Sequence, residues 1–294
     1  MRHPRRSSWA FRLNPGEMYP ENSCWRIKAG RDRQADHLGE RIMELNVSTW
    51  NYLCERGDNA NIDEAIGEIV ADGFGVEIWL GWSPEPNIVE RPAWKRLKEL
   101  LDQAPAVSLH TRLDHYDPRA ARQEIDMCAY LGGKVVVVHQ SSLGLDENTN
   151  DFGHVCQLAQ YAEDRGVHIA LENGNFQILR RVVSQVDLFS PQGGLGVCID
   201  VGHANLCQAE FESPIERFLD EFHWRLVHLH LADNFGKNDD HLAPGEGAID
   251  WRKVVSKLEQ LHFRAGATLE IRSSEARQKA SEARRFLQTL ESER

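Results

Sequence analysis

From Met43 onward, short apolar runs alternate with amphipathic stretches along the whole chain. The runs place strands at residues 44–50, 75–80, 106–110, 134–139, 167–172, 196–200, 226–231 and 266–271, starting about 30 residues apart with a wider gap before the last. Helical spacing fills the intervals. IDEAIGEIVADG carries Ile62, Ala65, Ile66 and Ile69 on one face and stops at Gly73, and PAWKRLKELLDQ opens at Pro92 with a stripe of Trp94, Leu97, Leu100 and Leu101. HVCQLAQYAEDRG ends at Gly166, WRKVVSKLEQLHF follows the long seventh loop, and SSEARQKASEARRFLQTLESER reads as a final helix opened by a serine cap. Eight strand–helix units of this length predict one α/β domain, a single (β/α)8 TIM barrel.

Strand parity gives an independent check, because successive side chains point to opposite faces. Six of the runs carry a polar residue at or next to their ends: His110, His139, Glu172, Asp200, His230 and Glu270. If these face the barrel axis, so do Ser108, Val137, Ala170, Cys198, His228 and Thr268 one layer deeper. The intervening Leu109, Val138, Leu171, Ile199, Leu229 and Leu269 then meet the helices.

The formal charge of −11 is unevenly spread. Residues 1–42 are rich in arginine and the remainder is strongly acidic, which argues against a broad grip on nucleic-acid phosphates. No apolar run is long enough to span a membrane, and the first residues lack the apolar core of a secretory signal. Six cysteines without C-x-x-C spacing fit a reducing, cytoplasmic compartment. Residues 1–42 are expected to be a poorly ordered extension, or to lie upstream of the true start, with the barrel domain spanning 43–294. Oligomeric state is open, and a homo-oligomer is compatible with the sequence.

The polar run ends collect where such barrels build active sites, at the C-terminal mouth. Imidazoles and carboxylates without a thiolate suit Mn²⁺, Mg²⁺, Co²⁺ or Zn²⁺. Burying Glu172, Asp200, His230 and Glu270 without a cation would be costly, so a metal is favoured over a structural polar layer. His110, His139 and His241 are divided between ligand, substrate contact and support. Trp50, Trp79 and Trp82 could wall a sugar face or simply pack, and His228 and Glu77 fit hydrogen bonding inside the barrel. The Gly-Glu-Gly at 245–247 lacks the context of a phosphate cradle.

The segments D-V-G-H at Asp200–His203 and HLHLADNFGKNDDHLAPGEGAIDW resemble the xylose isomerase-like barrel superfamily, most strongly from residue 134 onward. That superfamily holds sugar isomerases and ketose 3-epimerases, inosose dehydratases and type IV apurinic endonucleases. For the isomerases and epimerases the resemblance implies one divalent metal held by Glu172, Asp200, His230 and Glu270, with His203 at the substrate; His110, Trp50 and Trp79 join it as substrate contacts expected from their places near strand ends. Glu172 and Glu270 would then shuttle a proton through an enediolate of a small sugar, sugar phosphate or polyol ketone. Elimination from the same enediolate gives the alternative of a keto-sugar or inosose dehydratase. The endonuclease branch implies up to three Zn²⁺, with His110, His139, His203, Asp239 and His241 as further ligands. Gln140-Ser141-Ser142-Leu143 departs from the Pro-Gly-Ser-His of that branch and weighs against DNA cleavage.

Overall fold

The computed structural model describes residues 43–189 and 193–293. The expected extension at 1–42 lies outside the described residues. Eight parallel strands run β1 Glu44–Ser48, β2 Gly75–Trp79, β3 Val107–His110, β4 Val135–Val138, β5 His168–Glu172, β6 Leu195–Asp200, β7 Leu226–Leu231 and β8 Gly266–Leu269. They pair in chain order and close through β1 and β8, with Asn46 opposite Thr268 and Val47 opposite Leu269. The helices are α1 Trp50–Arg56, α2 Ile62–Ala71, α3 Arg91–Leu100, α4 Pro118–Leu131, α5 Gly153–Glu163, α6 Phe176–Phe189, α7 Val201–Asn205, α8 Pro214–Phe222, α9 Trp251–Gln260 and α10 Ala276–Ser292. The closed barrel is the architecture expected from the periodicity.

Local chemistry starts and stops these elements. Asn61, Asp117 and Asp250 cap α2, α4 and α9 by accepting from backbone N–H groups of the first turn. Proline occupies the first turn of α3, α4 and α8, where its missing N–H costs nothing. Gly132 ends α4 in the left-handed region, at φ 86°. The expected serine cap of the last helix is corrected: α10 opens at Ala276, and Ser273 Oγ instead accepts from Glu275 N in the preceding turn.

The parity argument places two shells. Leu109, Val138, Leu171, Ile199, Leu229 and Leu269 belong to the main core between sheet and helices. Val137, Ala170 and Cys198 form a separate small cluster inside the barrel. The rest of the interior is polar: Asn46, Glu77, Ser108, His228 and Thr268 are all buried there. The strands are shorter than the apolar runs, so Trp50, His139 and Glu270 lie just beyond them, and Trp50 opens α1 instead of ending β1. Among the described residues no helix is long and apolar enough to cross a membrane, and Cys54, Cys128, Cys156, Cys198 and Cys207 carry free thiols.

One helix contributes a buried acid beside the mouth. Glu124 of α4 accepts from Thr111 Oγ1 at 2.6 Å and meets Arg112 Nε at 3.5 Å, tying the loop after β3 to the outer shell. Burial pushes its carboxyl up to about 7, outweighing Thr111 and Arg112. The folded state therefore binds this proton more tightly than the unfolded chain. Stability from this group is full below the ordinary value of 4.5 and is lost as pH rises through about 7. The loss should be on the order of 3 kcal/mol. Urea midpoints measured at pH 5 and pH 7.5 should differ less in Glu124→Gln than in the parent; an unchanged difference would remove Glu124 as its source.

Candidate metal centre and active site

The ends of β3, β5, β6, β7 and β8 carry His110, Glu172, Asp200, His230 and Glu270 to one point at the C-terminal mouth. Glu172, Asp200, His230 and Glu270 are all buried. His230 Nδ1 lies 3.8 Å from Glu172 Oε1, 3.8 Å from Asp200 Oδ2 and 3.5 Å from Glu270 Oε2, so three carboxylates face one imidazole nitrogen. Donor atoms of Asp200, His230 and Glu270 lie within 4.8 Å of one another, as do those of Glu172, Asp200 and His203.

Two further sets adjoin this one. His110 Nε2 and His139 Nε2 stand 3.4 and 3.2 Å from Glu172 Oε2, and their rings meet edge to face. On the other side His203 bridges inward and outward. Its Nδ1 is 2.9 Å from Glu172 Oε1, and its Nε2 is 3.3 Å from Asp239 Oδ2, which in turn is 2.8 Å from His241 Nε2. The nine residues singled out as ligands thus form one continuous cluster.

Each member is held by its own backbone context. Asp200 caps α7 through Oδ1, which accepts from His203 N at 2.7 Å and leaves Oδ2 turned to the mouth. Gly202 of D-V-G-H leaves little room for a side chain: a Cβ would sit 3.2 Å from Asp200 Oδ1 and 3.3 Å from Ala232 O. His110 Nδ1 is 3.0 Å from Thr111 O and His241 Nδ1 is 3.2 Å from Glu270 O. If these nitrogens carry the proton, each Nε2 presents a lone pair to the cluster. His241 adopts φ 50°, a left-handed conformation that costs a non-glycine residue energy. The Asp233–Leu242 bridge and the bond from Arg272 N to His241 O, at 2.8 Å, hold it there.

The electrostatics follow from burial and crowding. Burial disfavours the Glu172 carboxylate, but the imidazoles of His110, His139, His203 and His230 crowded around it hold it well below the ordinary carboxyl range. Burial raises Glu270, with the neighbouring acids Glu77 and Glu172 adding to it. Asp200 chiefly, with Asp239 and Glu172, pushes His203 up to about 12, and Glu172 overcomes burial to bring His110 to about 9. Glu172 Oε2, Asp200 Oδ2 and His230 Nδ1 are buried without a hydrogen bond of good geometry. Unsatisfied buried acids are expensive, and a divalent cation is the group that this oxygen-and-nitrogen donor set fits.

The aromatic candidates separate. Trp50 packs against His241 with ring centroids 4.7 Å apart, and the Arg272 guanidinium lies over the same Trp50 ring, 5.4 Å from its centroid. Trp79 is half-buried against Gly81, where any Cβ would strike its ring, and Trp82 is a core residue. Periodicity missed three organising residues. Asn173 clamps Asp200 by donating from Nδ2 to its carbonyl at 3.1 Å and accepting from its N–H. Asn234 donates to Gly202 O at 2.9 Å and accepts from Asn205 Nδ2 at 2.8 Å, locking the β6 and β7 loops together. Asp233 accepts from Asn234 N, Gly245 N, Ile249 N and Trp251 Nε1, and so folds the loop that presents Asp239 and His241. The available signal was position: Asn173 directly follows β5, and Asp233 lies two residues past the end of β7.

Several known proteins resemble this chain. An uncharacterized protein of Methanocaldococcus jannaschii is 28% identical over 251 residues, covering 79% of this chain and 77% of that protein. A fructoselysine 3-epimerase of Shigella flexneri is 27% identical over 123 residues, or 40% of this chain and 43% of that one. The crystal structure of a D-tagatose 3-epimerase-like protein superposes with a TM-score of 0.67 at 23% identity, covering 84% of this chain and 97% of the other. Residues 71–290 match the family described as xylose isomerase-like TIM barrel. Because that match runs from β2 through β8 and takes in every acid and histidine of the cluster, the chain belongs to the xylose isomerase-like TIM barrel family.

Proposed function

We propose that the protein is a divalent-metal-dependent epimerase or isomerase of a small keto-sugar, sugar phosphate or related polyol ketone. The observation that carries this is the pair Glu172 and Glu270, on walls of the mouth three strands apart, both facing His230 Nδ1 together with Asp200. Names of similar proteins support the substrate class, since one relative is a fructoselysine 3-epimerase and one similar structure is D-tagatose 3-epimerase-like.

Glu172, Asp200, His230 and Glu270 would hold the metal, with His203 and His110 beside the substrate. A bound divalent ion supplies positive charge next to a carbonyl and hydroxyl oxygen, which acidifies the adjacent C–H. One of the two glutamates removes that proton, and the other returns a proton to the opposite face or to the neighbouring carbon. Their buried carboxylates keep bulk water from competing for it. Trp50 contributes an aromatic wall at the rim.

The test is solvent exchange. Metal-loaded protein incubated in D2O with D-fructose, D-tagatose, D-allulose and their phosphates should place deuterium beside the carbonyl of at least one sugar, read by NMR. Deuterium uptake with loss of water would establish a dehydratase in place of the epimerase. No uptake and no water loss, with metal bound, would contradict both. The triad of His203, Asp239 and His241 favours one second reading, a trinuclear zinc phosphodiesterase. Three ions per chain and salt-sensitive cleavage of an abasic duplex would mark it. Against it, Ser142 and Leu143 are buried in the fourth loop, with Ser142 Oγ donating to Leu113 O at 2.5 Å.

A further inference from the structure

Beneath the metal cluster lies a buried acid that the chemistry above does not use. Glu77, on β2, is fully buried. Its Oε2 accepts from Ser108 Oγ at 2.8 Å, Thr268 Oγ1 at 3.0 Å and His228 Nε2 at 3.0 Å, from strands β3, β8 and β7. Its Oε1 has a different neighbour, His230 Nε2, at 3.3 Å. That contact does not meet hydrogen-bond geometry, and neither atom has a hydrogen-bond partner among the described residues. The His230 ring is therefore sandwiched between Glu77 on its Nε2 side and Glu172, Asp200 and Glu270 on its Nδ1 side.

We propose that Glu77 is a positioning residue for His230: its Oε1 accepts a hydrogen bond from Nε2–H, which keeps the proton on Nε2 and turns the Nδ1 lone pair toward the three mouth carboxylates. A carboxylate behind a ligating histidine orients the ring and makes it a better donor. The four groups around Glu77, three hydrogen-bond donors and the His230 imidazole, supply the reason that it stays ionised so deep in the barrel, since a buried carboxylate persists only beside donors or positive charge. Three of them hold Oε2, so the carboxylate plane is fixed by the barrel and not by His230. Glu77 is thus rigid before any metal arrives. His230 has little choice of orientation, because its ring is completely buried.

The inference rests on His230 being a ligand, and the experiment separates the two claims. Titrations of metal-free full-length protein with Mn²⁺ would compare the parent with Asp200→Ala, Glu77→Gln and His228→Gln. Asp200→Ala should all but abolish binding, and binding unaffected by it would overturn the metal-site reading and this inference together. With that loss seen, Glu77→Gln should weaken Mn²⁺ roughly 10- to 100-fold, while His228→Gln, which disturbs only the Oε2 side, should change it by less than about threefold. Unchanged affinity in Glu77→Gln, or equal losses in both variants, would overturn the positioning role alone. Should Glu77→Gln fail to fold, the unaltered chain decides. NMR of ¹⁵N-histidine-labelled protein loaded with Zn²⁺, with His230 identified by its loss in His230→Gln, should show the proton on Nε2. A proton on Nδ1 would end the proposal.

Discussion

Replacing either Glu172 or Glu270 by glutamine is expected to lower turnover about 10²- to 10⁴-fold while the protein remains folded and retains metal. Glutamine keeps the size of the side chain and one ligating oxygen, but it cannot accept or return a proton. The loss should fall on kcat, because the proton transfer is made in the transition state and contributes little to ground-state binding. The two variants should also differ in exchange. With one glutamate left, a sugar presented in D2O can still lose its proton to the surviving base and regain deuterium on the same face, so labelling without epimerisation is expected from at least one variant. Near-parental kcat in either variant, on a substrate the parent turns over, would remove that residue from the proton pair.

Asp233→Ala is expected to produce the largest loss of stability. The Asp233 carboxylate is buried and accepts from three backbone N–H groups and the Trp251 indole, at 2.8 to 3.2 Å. Removing it leaves four buried donors unpaired, each costing about 1–3 kcal/mol less whatever water recovers. A loss on the order of 4 kcal/mol follows, or roughly a 10 °C fall in Tm for a domain of this size. Gly247 shows how little the loop can readjust, because even a Cβ there would lie 2.3 Å from Asp233 Oδ1. Asp233→Asn, which keeps one acceptor, should fall between. The same variants should also disturb the mouth, since the loop they loosen carries Asp239 against His203 and His241 against the Glu270 carbonyl. Equilibrium unfolding in urea gives the comparison, and a loss below about 1 kcal/mol would show that Asp233 does not organise the loop.

Much of this architecture was legible in the sequence because a barrel repeats two simple constraints. Alternation along each strand fixed which side chains face the axis, and the interior cluster of Val137, Ala170 and Cys198 against an outer shell of Leu109, Leu171 and Ile199 is that alternation realised. Residues at strand ends were legible for the same reason. Pairing was not. Glu77 meets His228 from 151 positions away and Thr268 from 191, and no local pattern announces which interior groups the barrel's stagger will bring level. His241 lies in a loop with a left-handed backbone, where periodicity carries no signal, and its place past the seventh run together with the D-x-H resemblance pointed to it. Trp50 was read as the end of a strand because the apolar run continues through it. Pairing between β1 and β2 stops at Ser48, and Trp50 begins a helix.

The central claim is that Glu172, Asp200, His230 and Glu270 share one divalent cation. The most direct measurement is anomalous diffraction from a crystal of the protein soaked in MnCl2, collected at a wavelength where manganese scatters anomalously. A peak bounded by Glu172 Oε1, Asp200 Oδ2, His230 Nδ1 and Glu270 Oε2 is predicted, and it should vanish in Asp200→Ala. A mouth without a peak among these four atoms, in crystals that take up manganese elsewhere, would contradict the account.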